Sequence, residues 1–173
     1  SRKSTLYAKS TCQSIVKKAI VSHMQQAYGI EQLPETGAMC PIRIQIDKDM
    51  VTLSLDSTGT GLHQRGYRAH MDRAPLRETL AAGLVLLSRW RPDQDVLMDP
   101  FCGTGTILIE AGLIAKNIAP GLYRSFNAES WECVDASFWK SAREEAKDLM
   151  KLDQKYRIYG SDHEARVLRI ANK

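Results

Sequence analysis

The sequence predicts an α/β protein in which a parallel sheet follows a smaller α+β module. From residue 96 onward, short apolar runs that suit buried strands alternate with segments of helical periodicity. Before residue 60, one amphipathic segment precedes two runs in which apolar and polar residues alternate. These patterns divide the 173 residues into an N-terminal module at 1–60, a linker at 61–73 and an α/β region at 74–173.

The N-terminal module combines a predicted helix with a predicted hairpin. Apolar residues recur at helical spacing from residue 11 to residue 28, and Ser10 or Thr11 is the expected N-cap. The runs 41–46 and 50–55 alternate apolar and polar residues on either side of Asp-Lys-Asp, which favours a β-hairpin. An αββ unit of this size is too small to form a core of its own.

The α/β region begins with a helix, a strand and a glycine-containing loop. Pro75 is expected to open the helix, because proline is favoured in the first helical turn. Residues 96–98 form a short apolar run typical of a buried parallel strand. A tight loop at 99–105 then leads into a helix predicted over 106–116.

A long insertion separates this first strand from the second. Residues 117–134 lack periodicity, a helix is predicted over 136–150, and the run 157–162 is typical of a second buried strand, followed by a helix from Glu164. Two strands are too few for a doubly wound sheet, which normally has about five or more. We therefore expect the remaining strands beyond Lys173, and the chain to be a piece of a longer protein.

Composition limits the classes of protein to consider. The formal net charge of +4 permits binding to a polyanion without demonstrating it. The four cysteines are widely scattered and form no C-x-x-C pair, which argues against a disulfide framework or a zinc site and favours a reducing cytoplasm. No metal is expected, because His63 and His70 lack further ligands nearby in the sequence. No apolar run approaches the length of a membrane span.

The stretch V-L-M-D-P-F-C-G-T-G-T at 96–106 carries the chemistry. Gly103 and Gly105 allow a sharp turn and a close approach of the backbone to a ligand, and the helix that follows presents free N–H groups. The dinucleotide fingerprint G-x-G-x-x-G fails here, because Leu108 stands at its third glycine. Two glycines after a strand also occur in ordinary βα turns, so the complete string is the more specific signal.

Acidic residues distinguish this loop from a phosphate-binding loop. Asp99, four residues before Gly103, would repel a pyrophosphate and suits a cofactor with a positive ammonium and sulfonium, such as S-adenosylmethionine. Asp162 stands at the tip of the second predicted strand, where an acid accepts hydrogen bonds from the ribose in dinucleotide folds.

Several other residues allow two interpretations each. Arg65, Tyr67 and Arg68 belong to a basic cluster that could contact phosphates and a base, or form a solvated linker with the tyrosine packed below. The pKa of Cys102 could be lowered by the adjacent helix N-terminus, although a small loop filler is the favoured role. Packing is favoured over base stacking for Trp131 and Trp139, and Glu110 is expected at the surface or as a cap.

The string D-P-F-C-G-T-G-T at 99–106, with R-G-Y-R at 65–68, A-P-L-R-E-T-L-A-A at 74–82 and N-I-A-P-G-L at 117–122, resembles a known family. The resemblance is to bacterial THUMP-domain RNA methyltransferases of class I, the group containing the large-subunit rRNA guanine-N2 methyltransferase. It implies a partial Rossmann-like domain that uses S-adenosylmethionine, preceded by the C-terminal part of a THUMP module. It also implies ribosomal RNA as the partner.

The resemblance implies roles for individual residues. Asp99, Phe101, Gly103 and Gly105 would line the methionine end of the cofactor. Asp162 would hold the ribose of the cofactor, and His163 would lie near the adenine. The other cofactor-binding positions would be those in and next to the same loop: Pro100, Cys102, Thr104 and Thr106. The R-G-Y-R segment, with residues 74–79, would close over the cofactor or meet the RNA.

One feature of the family is missing from this sequence. Amine methyltransferases of this type carry an N-P-P-Y-like motif that holds the target amine and stacks on the flipped base. No Pro-Pro pair occurs here, so no catalytic residue is assigned. Two alternatives stay open: a DNA adenine-N6 or cytosine-N4 methyltransferase, which shares the loop string, and a non-catalytic RNA-binding module.

Overall fold

The computed structural model describes residues 4–67 and 76–171, and the chain divides into two compact units. The first unit contains the residues up to Gly59 together with Phe126–Cys133. The second contains Thr60–Ser125 and the residues from Val134 onward. No helix in the described ranges has the length and apolar character needed to cross a bilayer.

The first unit consists of one long helix and an antiparallel hairpin. Helix α1 spans Lys9–Tyr28, and strands β1 (Ile42–Asp47) and β2 (Met50–Leu55) pair from Ile42 with Leu55 to Asp47 with Met50. The two turn residues, Lys48 and Asp49, both have positive φ angles, 49° and 60°. Such angles at both positions define a type I′ turn, whose twist matches that of the flanking strands. The predicted hairpin is therefore present, with a two-residue turn.

The expected cap of α1 is wrong. The N-cap is Ala8, which provides no side-chain hydrogen bond, and Ser10 and Thr11 lie inside the helix. The Ser14 hydroxyl instead donates to the carbonyl of Ser10 one turn earlier. The helix ends at Gly29, whose φ of 65° is the left-handed conformation that glycine adopts at helix C-termini.

Part of the insertion belongs to the first unit. A short 3₁₀ turn at Asn127–Ser130 is held there because the N–H of Ala128 donates to the carbonyl of Ser57 at 3.1 Å. The indole N–H of Trp131 donates to the carbonyl of Met39 at 2.9 Å. Trp131 is therefore fixed to the backbone of its own unit.

The second unit is an α/β arrangement built on two parallel strands. The elements follow the predicted order: α2 (Glu78–Leu87), β3 (Val96–Asp99), α3 (Thr106–Ala115), α4 (Ala136–Asp148), β4 (Arg157–Gly160) and α5 (Ala165–Ala171). Strands β3 and β4 pair in parallel from Val96 with Arg157 to Asp99 with Gly160. This confirms the predicted α/β class with a partial parallel sheet. Pro75, the expected start of the first helix, lies outside the described residues.

The core of the second unit lies where α2 packs against α3. Ala81 and Val85 of α2 are buried, as are Ala111 and Ala115 of α3. Small side chains at these positions let the two helices approach closely. By contrast, Val96 and Met98 of β3 are 50% and 66% exposed. Apolar strand residues exposed to this degree are typical of a parallel sheet that is incomplete in the chain described.

Candidate cofactor site

The carboxyl ends of β3 and β4 form one edge of the sheet, and two carboxylates follow them. Asp99 ends β3 directly opposite Gly160, the last residue of β4, and Asp162 comes two residues later. In parallel α/β sheets this edge is where ligands bind. The loop 99–105, which we call the cofactor loop, runs from Asp99 to the N-terminus of α3.

Glycine is required at two positions of the cofactor loop. Gly103 and Gly105 have φ angles of +53° and +80°, which L residues rarely adopt. A Cβ built on Gly103 would meet no atom within 4 Å, so the backbone there borders open space. Gly105 is buried and is the N-cap residue of α3. The loop thus exposes bare backbone at Gly103 and packs tightly where the helix begins.

The backbone N–H groups of the cofactor loop are largely used within the protein. Four of them donate to protein oxygens at 2.8–3.0 Å: Phe101 to Asp99 Oδ1, Cys102 to the Ser161 carbonyl, Gly103 to Asp162 Oδ2, and Gly105 to the Cys102 carbonyl. An anion-binding loop instead directs its free N–H groups at the ligand. These four N–H groups are therefore occupied within the protein, whereas the carboxylates of Asp99 and Asp162 lie at the same edge of the sheet.

Asp162 ties the cofactor loop to the end of β4. Its Oδ1 accepts from the N–H of Glu164 at 2.9 Å, and its Oδ2 accepts from the N–H of Gly103. The N–H groups of Glu164 and then Gly103 lower the pKa of the Asp162 carboxyl from its usual 3.8, so it is ionised at neutral pH. Because a carboxylate oxygen can accept two hydrogen bonds, Oδ2 can accept one from a ligand hydroxyl besides that from Gly103.

The other predicted cofactor residues differ in exposure. Phe101 is 82% exposed, and the side chain of His163 is 93% exposed, with Nδ1 3.4 Å from Asp162 Oδ1. Pro100 is exposed, Thr104 is half-buried and Thr106 is buried. The exposed phenylalanine ring and the imidazole both border the edge that carries the two carboxylates.

Cys102 is a buried filler of the loop. Burial raises the pKa of its thiol above the usual 9.0, and the nearby charges of Asp99 and Asp162 raise it further. The idea that the helix N-terminus lowers this pKa is therefore wrong, because burial and two carboxylates dominate. The thiol stays protonated at neutral pH and is a poor nucleophile.

Gly160 is a packing position that the sequence analysis missed. A Cβ on this residue would overlap Cδ1 of Leu108 and lie 3.0 Å from Sγ and 3.1 Å from Cβ of Cys102. The end of β4 therefore supports the cofactor loop from behind, at a distance that only glycine allows. A glycine within a predicted parallel strand is itself a signal of such close approach.

Arg65 and Tyr67 lie against Glu110 of α3. The Tyr67 hydroxyl donates to Glu110 Oε1 at 2.9 Å, and Arg65 Nε is 3.4 Å from the same oxygen. Glu110 is only 2% exposed, so its expected place at the surface or as a cap is wrong. A lone carboxylate within the otherwise apolar run T-I-L-I-E-A-G-L-I-A could have revealed a buried, partnered residue. Arg68 lies outside the described residues.

No group of three or more potential metal ligands occurs within 4–67 and 76–171. His70, one of the two histidines considered above, falls in the part that is not described. The absence of a metal therefore stays a prediction.

Comparison with known proteins places this arrangement in a family. The model of the RMKL-like methyltransferase domain matches residues 65–173. The chain is 47% identical over 173 residues to the Bacillus subtilis protein named "Putative RNA methyltransferase YpsC", covering 99% of the chain and 45% of that relative. It is 44% identical over 128 residues to "Ribosomal RNA large subunit methyltransferase K/L" of Shewanella baltica, covering 72% of the chain and 18% of that relative. The chain thus spans less than half the length of these relatives.

Solved structures agree with this assignment. A Listeria monocytogenes protein described as a "predicted N6-adenine-specific DNA methylase" superposes with a TM-score of 0.91 at 50% identity, over 98% of the chain and 44% of that protein. SMU.472, described as "a putative methyltransferase complexed with SAH", superposes with a TM-score of 0.90 at 39% identity, over 99% of the chain and 46% of that protein. The chain belongs to the family of RMKL-like methyltransferase domains, and its α/β unit is a partial Rossmann-like methyltransferase fold.

Proposed function

We propose that the protein transfers the methyl group of S-adenosylmethionine to an exocyclic amine of a base in ribosomal RNA, with guanine N2 of the large-subunit rRNA as the target. The observation that carries the cofactor assignment is the polarity of the cofactor loop. Four of its N–H groups are used internally, while the carboxylate of Asp99 ends one parallel strand and that of Asp162 lies two residues after the other. Such a site favours a cationic ligand over a pyrophosphate.

The residues present fit S-adenosylmethionine. One oxygen of Asp99 accepts the N–H of Phe101, and within the described residues its other oxygen has no protein donor and is left for a cationic group. The free backbone at Gly103 leaves space for the methionine end, Asp162 has lone pairs for the ribose hydroxyls, and His163 would lie near the adenine. When bound, S-adenosylmethionine supplies an electrophilic methyl group on a positively charged sulfur.

The role of these residues is to bind and orient rather than to exchange protons. The hydrogen bonds that Asp162 accepts from Glu164 and Gly103 lower its pKa and so stabilise its charged form, and the bond from Gly103 fixes the loop. Holding two reactants in line accounts for much of the rate enhancement of a direct transfer. Cys102 takes no part, because its thiol is buried and protonated. No residue of this chain is assigned to hold the target amine.

The RNA substrate rests on the relatives and on the first unit. Relatives are named for RNA and for large-subunit rRNA methylation. We propose that residues 1–60 are the C-terminal part of a THUMP-type module that binds RNA by shape and phosphate contacts, joined by the linker 61–73 to the methyltransferase half at 74–173. The four cysteines are free thiols, which suits a protein acting in the cytoplasm.

Calorimetric titration with S-adenosylmethionine and S-adenosylhomocysteine tests the cofactor site in the full-length protein. Asp99→Ala removes the acid of the cofactor loop. Asp93→Ala is the control, because it removes an exposed acid that precedes the N-terminal end of β3, away from the loop. Losing a charge-assisted hydrogen bond weakens binding by about 10–100-fold, so we expect that loss for Asp99→Ala and none for Asp93→Ala. A folded wild-type protein that binds neither ligand would refute the assignment.

A second candidate is methylation of DNA amines, since one similar structure is described as an adenine-specific DNA methylase. Incubating the full-length protein with labelled S-adenosylmethionine and either ribosomal RNA or duplex DNA separates the two. Label in guanosine N2 of the RNA is the expected result. Label only in DNA would establish the second candidate, and RNA binding without transfer to either would establish a non-catalytic RNA-binding module.

A further inference from the structure

Glu110 is a buried acid next to, but outside, the cofactor loop. It follows Thr106 by four residues on α3, so the two side chains lie one above the other on one helix face. Both are buried, at 6% and 2% exposure. The surface covered by Glu110 is therefore continuous with the first turn of the helix that begins at the cofactor loop.

The segment that covers this surface is residues 60–67, which we call the strap. Two of its side chains converge on one oxygen, Oε1 of Glu110: the Tyr67 hydroxyl at 2.9 Å and Arg65 Nε at 3.4 Å. The Arg65 and Glu110 side chains are only 11% and 3% exposed. Both charges are thus withdrawn from water and neutralise each other, so the Arg65 guanidinium faces the acid of α3 rather than solvent.

The strap has a second attachment on its N-terminal side. The guanidinium of Arg124 donates to the carbonyls of Thr60 and Gly61, the latter at 2.9 Å. Arg124 is held in turn, because its own carbonyl accepts from Arg143 of α4 at 2.9 Å. Gly66, with φ at +95°, makes the turn between Arg65 and Tyr67. The strap is therefore fixed at both ends, and Glu110 is the attachment nearest the cofactor loop.

We propose that Glu110 is a positioning residue that, through Arg65 and Tyr67, fixes the strap on the helix following the cofactor loop and so sets the position of the strap at the bound RNA. The inference rests on the proposed function and deepens it. Arg65 and Tyr67 act through Glu110 instead of contacting phosphate and base.

Hydrogen exchange in the full-length protein tests the attachment without requiring activity. Glu110→Gln keeps an acceptor for Tyr67 but removes the charge opposite Arg65, and Glu144→Gln is the matched control on an exposed stretch of α4. We expect the strap amides to exchange on the order of tenfold faster in Glu110→Gln, with α4 unchanged and Glu144→Gln like wild type. The proposal would be overturned if the hydrogen-exchange rates of the strap amides were unchanged, or if exchange became faster throughout the second unit. Should Glu110→Gln fail to fold, Tyr67→Phe, which removes only the hydroxyl, is judged by the same criterion.

The salt dependence of RNA binding tests the role of Arg65, with a transcript of large-subunit rRNA as the probe. A lysine or arginine on a phosphate contributes about one unit to the slope of log affinity against log salt. We expect Arg65→Met to leave the slope unchanged and to lower kcat about tenfold or more, with the KM for S-adenosylmethionine within about twofold. If the slope of log affinity against log salt is smaller by about one in Arg65→Met, Arg65 contacts a phosphate and the proposal is overturned. If the wild-type protein neither binds nor methylates RNA, the proposed function fails, while hydrogen exchange still decides whether Glu110 fixes the strap.

Discussion

Replacing Gly160 with alanine would place a methyl group directly behind the cofactor loop. The new Cβ would overlap Cδ1 of Leu108 and lie 3.0 Å from the Cys102 sulfur and 3.1 Å from the Cys102 Cβ. The Leu108 methyl is the end of a flexible side chain and can move. The Cys102 Cβ moves only with the loop backbone, so the substitution shifts the residues between Asp99 and Gly103.

The expected cost follows from two opposing effects. Removing a glycine restricts the unfolded chain and favours the folded state by about 0.4–1 kcal/mol. Inserting a methyl group into a filled site costs about 1–3 kcal/mol. The second effect is larger, so Gly160→Ala should lower the free energy of unfolding by about 1–2 kcal/mol. It should also weaken binding of S-adenosylmethionine, because the displaced loop carries Asp99.

Urea denaturation of the full-length protein, with cofactor titration beside it, measures both effects. Gly83→Ala is the matched control, because a Cβ on Gly83 in α2 would meet nothing within 4 Å. It should stabilise the helix by about 0.5–1 kcal/mol. Adding Leu108→Ala to Gly160→Ala should cost less than the sum of the two single changes, because they share one space. If Gly160→Ala is as stable as Gly83→Ala, the packing argument is wrong.

Three further substitutions test separate parts of the second unit. Hydrogen bonds from Glu164 and Gly103 lower the pKa of Asp162 in the folded protein below its ordinary value of 3.8. The stabilisation that Asp162 contributes is therefore complete above pH 3.8, and it is lost as the pH falls through the lower pKa of the folded state. The melting temperature difference between wild type and Asp162→Asn should therefore shrink from about pH 7 to about pH 3, and a constant difference would contradict this. Cys102→Ala should leave methyl transfer within about twofold, since no thiol nucleophile is used, and a much larger loss would give the thiol a chemical role. Gly66→Ala should lower the melting temperature because φ at +95° is strained for alanine, and an unchanged melting curve would show that the strap adapts.

Helices and strands with a clear periodicity of apolar residues were predictable, because an element that buries one face must repeat apolar residues at its own spacing. Strands β1 and β2 lie within one residue of the predicted runs, and β3 and β4 follow the short apolar runs near 96 and 157. The details at the ends were not predictable. Ser10 and Thr11 are both suitable caps by composition, yet the helix starts earlier, at Lys9, since several consecutive positions there tolerate a helical conformation.

Features that depend on contacts distant in sequence were not available from local patterns. The burial of Glu110 requires Arg65 and Tyr67, more than forty residues earlier in the chain. The need for glycine at position 160 depends on Cys102, which the parallel pairing of β3 and β4 brings beside it. The insertion contributes to both units, because residues 126–133 fold with the first unit and the flanking residues with the second. A segment without periodicity gives no sign of such a division.

The proposed preference of the loop for a cation would arise from how the loop folds. Asp162 accepts the N–H of Gly103 and thereby removes a donor that a phosphate would need, and the same carboxylate adds negative charge at the edge of the sheet. Asp99 does likewise for the N–H of Phe101. Under the proposed function, the same two acids would close the loop and attract a cationic cofactor, because each acid satisfies a backbone donor and keeps its charge. The acid before the glycines is therefore the residue on which the proposal depends, since the glycines themselves are compatible with either kind of ligand.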